Sequence, residues 1–211
     1  MIPSFYPITD RALSGGRTHA SLVDLLCAGG ATLIQMRDKE MTGRALLRAA
    51  REAVAAAHGR GARLVMNDRV DAALMAEADG AHLGQDDLPV DAARQLLPRG
   101  SLLGISTHSV REAIAADSLP VDYIALGPIF ATTHAERLRP ALGLEAVAEA
   151  ARAVTLPIVA IGGINLDNAA SVLSAGAASL AVMGDVMSAS DIPARVSAYI
   201  ALGRRPGVMG S

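Results

Sequence analysis

Short apolar runs recur along the chain at intervals of about 20 to 30 residues, each followed by an Ala-rich stretch of helical periodicity, the pattern of βα units feeding a parallel sheet. Eight such runs stand at Phe5–Ile8, Thr32–Met36, Arg63–Met66, Gly80–Leu83, Leu102–Ile105, Tyr123–Leu126, Ile158–Ile161 and Leu180–Met183. The helical stretches that follow them are His19–Cys27, Gly43–His58, Val70–Glu77, Val90–Leu97, Val110–Ala116, Leu144–Ala153, Asp167–Ala175 and Ile192–Leu202. Eight alternating units in 211 residues, against the usual ~250, predict an α/β chain folded as a single compact (β/α)8 TIM barrel spanning 1–211. An open doubly wound sheet is the alternative. It gains no support from glycine fingerprints, because neither GxGxxG nor GxxxxGK(S/T) occurs.

Composition agrees with one large core: 51% of residues are hydrophobic and 19% charged. With three Tyr, two Phe and no Trp, that core must be aliphatic, and the chain lacks stacking platforms for single-stranded nucleic acid. A net charge of −2 points the same way, so no nucleic-acid partner is expected. The lone Cys27, in LVDLLCAGG, excludes a disulfide within the chain and reads as a structural thiol. No segment approaches the roughly 20 apolar residues of a membrane span, and MIPSFYPITD lacks a basic stretch followed by a long apolar one, so a cytoplasmic protein is expected. The Gly-rich residues 204–211 read as a flexible tail. Small barrels commonly associate, which makes a homo-oligomer plausible, but no stripe in the sequence identifies a partner surface.

The chemistry concentrates where strands end. Asp68 in MNDRV and Asp87 in HLGQDDL each follow an apolar run, with Asn67 and Gln85 beside them. In a barrel these carboxylates leave adjacent strands and can share one hard cation such as Mg²⁺. Each can equally be a helix cap, Asp68 before RVDAAL and Asp87 before LPVDAA. Gln35, Arg37 and Lys39 alternate through IQMRDK, so strand periodicity points them one way, where a guanidinium and an ammonium suit a pyrophosphate. A solvated strand exit is the plainer reading. Asp38, on the opposite phase, is expected to be structural. In AIGGI the glycines precede a helix start and can turn backbone N–H groups toward a phosphate, and Gly184 in AVMGDV follows the final strand in the same sense. Tight turns need glycine just as much. The long polar stretch from Gly127 to Gly143 reads as a lid or substrate loop. His82, His108 and His134 match no compact metal-ligand spacing, and His82 is expected to pack inside or beside the barrel. Ser106 in GISTH has no nucleophile-elbow context, so it reads as a hydrogen-bonding residue.

Taken in order, YPITD, IQMRDK, MNDRVDAAL, DGAHLGQDDL, GISTHS, DYIALGPIFATT and IVAIGGI resemble the thiamine phosphate synthase family over nearly the whole chain. The resemblance implies a (β/α)8 transferase that joins an aminopyrimidine methyl diphosphate to thiazole phosphate, giving thiamine phosphate and pyrophosphate. It implies Mg²⁺ on Asp68 and Asp87. It also implies that Gln35, Arg37, Lys39 and Asn67 hold the pyrimidine substrate and its diphosphate, with Ser106 near the pyrimidine. Thr132, Gly163 and Gly184 would hold the thiazole phosphate, and Arg37, Lys39, Asn67 and Ser106 form the catalytic set. The chain departs from the family at Ala135, where a lysine is usual, and at Gly184–Asp185, where a serine is usual. Arg137 or Arg139 can supply the missing cation if the loop folds inward, and solvated loop charges are the equal alternative. Two further readings follow from these departures: a thiazole tautomerase-like isomerase with His134 as general base, and a catalytically silent barrel that binds thiazole phosphate or thiamine phosphate. The tautomerase has no use for a metal pair, so Asp68 and Asp87 favour the synthase.

Overall fold

The computed structural model describes residues 2–133 and 139–203. Residues 134–138, which include His134, Ala135 and Arg137, and the 204–211 tail lie outside the described residues. The strands are β1 (Phe5–Thr9), β2 (Leu33–Met36), β3 (Arg63–Asn67), β4 (Gly80–Leu83), β5 (Leu102–Thr107), β6 (Tyr123–Leu126), β7 (Ile158–Ile161) and β8 (Ser179–Val182). They close into one barrel in chain order, and every neighbouring pair is parallel, including β8 with β1. The helices are α1 (His19–Ala28), α2 (Gly43–Gly59), α3 (Val70–Met75), α4 (Val90–Leu96), α5 (Val110–Ala116), α6 (Gly143–Ala153), α7 (Leu166–Ser174), α8 (Gly184–Met187) and α9 (Ile192–Gly203).

The strands are apolar on both phases because both faces are covered. Tyr6, Ile8, Leu33, Val65, Tyr123, Ala125, Val159 and Ala181 fill the barrel interior. The opposite phase, represented by Ile34, Met36, Leu64, Met66, Leu103 and Ile124, packs outward against the Ala- and Leu-rich helix faces in a second, larger core. Cys27 is partly buried against that outer core, and burial pushes its thiol upward, as a structural thiol requires.

Two elements differ from the sequence reading. β5 runs on to Thr107, so Ser106 is a strand residue paired with Ala125 rather than the start of a loop. The one-turn α8 separates β8 from α9, and four residues are too few to show an apolar repeat. The run NLDN works as anticipated for a helix start: Asn165 caps α7, and the Asn168 side chain returns a hydrogen bond to the cap's N–H.

Gly29, at the end of α1, is where the first and last helices meet. A Cβ there would lie 2.6 Å from the Pro193 carbonyl oxygen and 2.6 Å from Val196 Cβ, closer than packed atoms approach. Gly29→Ala is therefore expected to lower stability by about 1–3 kcal/mol, measured by urea unfolding, with substrate KM values unchanged because the strand exits are remote.

Candidate active site

Asp68 follows the last residue of β3 in the left-handed region, with φ +62°, a conformation that Asp tolerates better than bulkier residues. Its N–H donates to the His82 carbonyl at 2.7 Å, which ties the β3 exit to β4. Its carboxylate meets the Lys39 ammonium and hydrogen-bonds with the Asp87 carboxyl. Asp87 in turn accepts the Gly84 N–H at 2.7 Å. The helices that follow are capped at Arg69 and Pro89, neither through a side chain, so the cap reading fails for both aspartates. Partial burial, then the hydrogen bond and charge of Asp68, raise the Asp87 carboxyl above its ordinary value, against the opposing pull of the Gly84 N–H and Lys39.

Two abutting carboxyls whose charges resist coexistence are a natural host for a hard cation. Among the described residues no group of three or more His, Cys, Asp or Glu could hold a metal. Two carboxylates are as many as Mg²⁺ ordinarily takes from a protein, the rest of its shell being water and phosphate oxygens.

The β2 exit brings the cations. Gln35 is buried in β2, paired with Ile8 and Val65. Arg37 and Lys39 lie just beyond the strand. The Arg37 N–H donates to Thr9 Oγ1 at 3.2 Å, and its guanidinium reaches Asp10 at 3.3 Å. Between them Asp38 builds the turn, accepting the N–H groups of Glu40 (2.9 Å) and Met41 (2.7 Å) while holding the buried His19 at 3.0 Å. Burial alone would raise the Asp38 carboxyl, but those N–H groups and His19 outweigh it and hold it below its ordinary value. Asp38 is thus structural, as its phase in the sequence implied.

Across the mouth, Ser106 Oγ lies 2.9 Å from His82 Nε2, and His82 Nδ1 lies 3.0 Å from the Tyr123 hydroxyl. Complete burial pushes His82 down to about 4, so its ring is neutral. After β6 and β7 the chain segments lie side by side: Ile129 and Phe130 donate their N–H groups to the carbonyls of Ile161 (2.9 Å) and Gly162 (3.0 Å). Gly163, at φ +65°, leaves no room for a Cβ between itself and Phe130 and Ala131, so it is held within two residues of Thr132 in the neighbouring loop. Gly184 opens α8 immediately beyond β8, the strand beside β7. Asp185 is no obstacle to an anion there, because it accepts from Arg195 at 3.0 Å and from the Tyr199 hydroxyl at 2.7 Å. His108 binds the Gly127 carbonyl at 2.8 Å, a structural contact. Arg139 is exposed.

The structure thus gathers Lys39, Asp68 and Asp87 into one contacting cluster, with Arg37 two residues from Lys39, and joins Ser106 to His82. Asn67 ends β3 beside His82 in register. The partners Asp10, His19, Tyr6 and Tyr123 escaped sequence reasoning, since nothing local in PITD or DYIAL marks them as site support. A cleft lined by Arg63, Asp79 and Gly100 lies at the opposite ends of the strands and holds none of these residues.

A closed parallel barrel with its carboxylates and cations at the C-terminal strand ends belongs to the (β/α)8 proteins whose site is built from βα loops. The thiamine monophosphate synthase family model matches residues 5–186. The chain is 47% identical over 189 residues to the thiamine-phosphate synthase of Methanoregula boonei, covering 90% of this chain and 88% of that one. It is 46% identical to that of Methanoculleus marisnigri, with 90% of each covered. The solved thiamine phosphate pyrophosphorylase from Pyrococcus furiosus superposes with a TM-score of 0.87 at 34% identity, covering 98% of this chain and 97% of that one. The chain belongs to the thiamine monophosphate synthase family.

The buried imidazoles set a pH dependence. His82 and His19 both titrate below their ordinary 6.5 because of burial, so the unfolded chain takes up protons that the native chain refuses. Stability is full above pH 6.5 and falls as pH drops toward the folded values. With His82 folded at about 4, its share of the loss between pH 7 and pH 5 is about 2 kcal/mol. Urea unfolding at the two pH values checks this, and His82→Gln is expected to flatten the slope.

Proposed function

We propose that this chain is a Mg²⁺-dependent thiamine phosphate synthase, which condenses 4-amino-2-methyl-5-pyrimidinylmethyl diphosphate with thiazole phosphate and releases pyrophosphate. The observation that carries the reading is the contact of Lys39, Asp68 and Asp87 at one side of a family-matched barrel mouth. No helix among the described residues is long and apolar enough to cross a membrane, in keeping with small soluble substrates in the cytoplasm.

The reaction breaks the methylene C–O bond, whose electron pair leaves on the diphosphate, and forms a C–N bond from the thiazole nitrogen. The aminopyrimidine ring carries the positive charge in between, so no protein nucleophile is needed. Arg37 and Lys39 would meet the charge that accumulates on the departing oxygens, where preorganised cations act most strongly. Mg²⁺ held by Asp68 and Asp87 would supply further positive charge to the diphosphate. Gln35, Asn67 and Ser106 would orient the pyrimidine. Thr132 and the backbone at Gly163 and Gly184 would hold the thiazole phosphate. Arg137 or Arg139 would replace the lysine for which Ala135 stands in the sequence, Arg's fork serving where a point charge is usual.

The assay is thiamine phosphate formation from both substrates with and without Mg²⁺. Metal-dependent product is expected, and Asp68→Asn and Asp87→Asn should each reduce kcat/KM by on the order of 100-fold while the far-UV circular dichroism is unchanged. Metal-independent turnover, or full activity in both variants, would reject the metal assignment. For the loop, Arg137→Ala should impair turnover well beyond Glu136→Ala if Arg137 carries the replacement charge, and equal effects would shift the role to Arg139.

A further inference from the structure

Behind Ser106 a line of polar groups runs into the barrel interior, an unusual use of space that is otherwise aliphatic. Tyr6 and Tyr123 are buried, with ring centroids 6.1 Å apart in an edge-on arrangement. Tyr123 also meets His82 Nδ1 at 3.0 Å, with the two rings stacked at 5.5 Å, and His82 Nε2 meets Ser106 Oγ at 2.9 Å. These contacts bridge β4 and β6 across β5, and they exist because Gly104, paired in register with both His82 and Tyr123, has no side chain: a Cβ there would collide with Tyr123 Cζ and His82 Nδ1.

Counting donors fixes the direction of the line. Tyr123 is completely buried and its hydroxyl meets His82 Nδ1 at 3.0 Å, so it must donate there, since a buried O–H without an acceptor costs more than the bond is worth. A neutral imidazole that accepts at Nδ1 carries its proton on Nε2. Nε2–H therefore donates to Ser106, whose own O–H is left to point elsewhere. Reversing the link strands a buried donor: if His82 carried its proton on Nδ1, the Tyr123 hydroxyl would lose its acceptor.

We propose that Tyr123 and His82 form a one-way hydrogen-bond chain that fills one acceptor site of the Ser106 hydroxyl and frees its own O–H to donate toward the barrel mouth, favouring a ring-nitrogen acceptor on the aminopyrimidine over its donating amino group. The substrate side of this rests on the synthase reading above; the chain itself does not. His82 and Tyr123 are positioning residues, acting only through Ser106.

The first test is independent of activity: the full chain labelled with ¹⁵N-histidine, with the His82 signals assigned by their loss in His82→Gln, shows which imidazole nitrogen carries the proton. Protonated Nε2 and bare Nδ1 are expected, and a proton on Nδ1, or an even mixture, overturns the proposal whatever the enzyme does. The second test is kinetic. Tyr123→Phe should raise the KM for the aminopyrimidine diphosphate about 5- to 10-fold with the KM for thiazole phosphate unchanged. Because the effect passes through Ser106, adding Tyr123→Phe to Ser106→Ala should cost nothing more. Additive losses, or equal increases in both KM values, would mean that Tyr123 only supports the fold. Absence of any synthase turnover would sink the substrate reading and leave the imidazole result to decide the chain alone.

Discussion

In a closed parallel barrel the inward side chains of eight strands have nowhere to go but one another, and everything at the mouth stands on how that space is filled. Most of it is Leu, Val, Ile and Ala, which need only volume. The exception is the quadrant of β4, β5 and β6, where an absent side chain at Gly104 lets an imidazole and a phenol meet across the strand between them. Polar groups so deep are tolerable only when every donor finds an acceptor, and that requirement, rather than packing, gives this quadrant a direction. The floor of the site is thus electrically oriented before any substrate arrives.

The mouth works by the opposite principle. Asp68 and Asp87 sit against one another at some cost, relieved by Lys39 and by the Gly84 N–H. The cations are themselves held back by acids, Arg37 by Asp10 and Lys39 by Asp68. Such a cluster is balanced but unsettled: each charge is compensated by a neighbour that a bound anion and its counterion could replace. Asp38, gripped by two backbone N–H groups and His19, is the fixed post between the two cations.

The strands were readable because short continuous apolar runs, each followed by a helical repeat, leave little choice, and the observed bounds differ from the predicted ones by at most two residues. The pairing of Asp68 with Asp87 was readable only after the barrel was assumed, since adjacency of β3 and β4 is a topological fact that no local motif carries. Arg37 and Lys39 leave the strand before their alternation can be tested, so their destinations depended on Asp10 and Asp68, one close and one distant in sequence. The Tyr123–His82–Ser106 line was hidden for a deeper reason: it depends on what residue 104 lacks, and a glycine inside a strand signals a bulge, a bend or a close approach without saying which.

The end of α9 has a bearing on where this fold stops. The family match closes at residue 186, just past Gly184 and Asp185. Yet the Asp185 carboxylate is answered by Arg195 and Tyr199, one and two turns into α9, and Tyr199 stacks flat on Phe5 at 4.7 Å. The last helix therefore reaches from the first strand to the final strand exit and neutralises an acid beside the backbone at Gly184. A barrel trimmed to the family's own limits would keep all eight strands and leave the Asp185 carboxylate beside the Gly184 backbone without either partner.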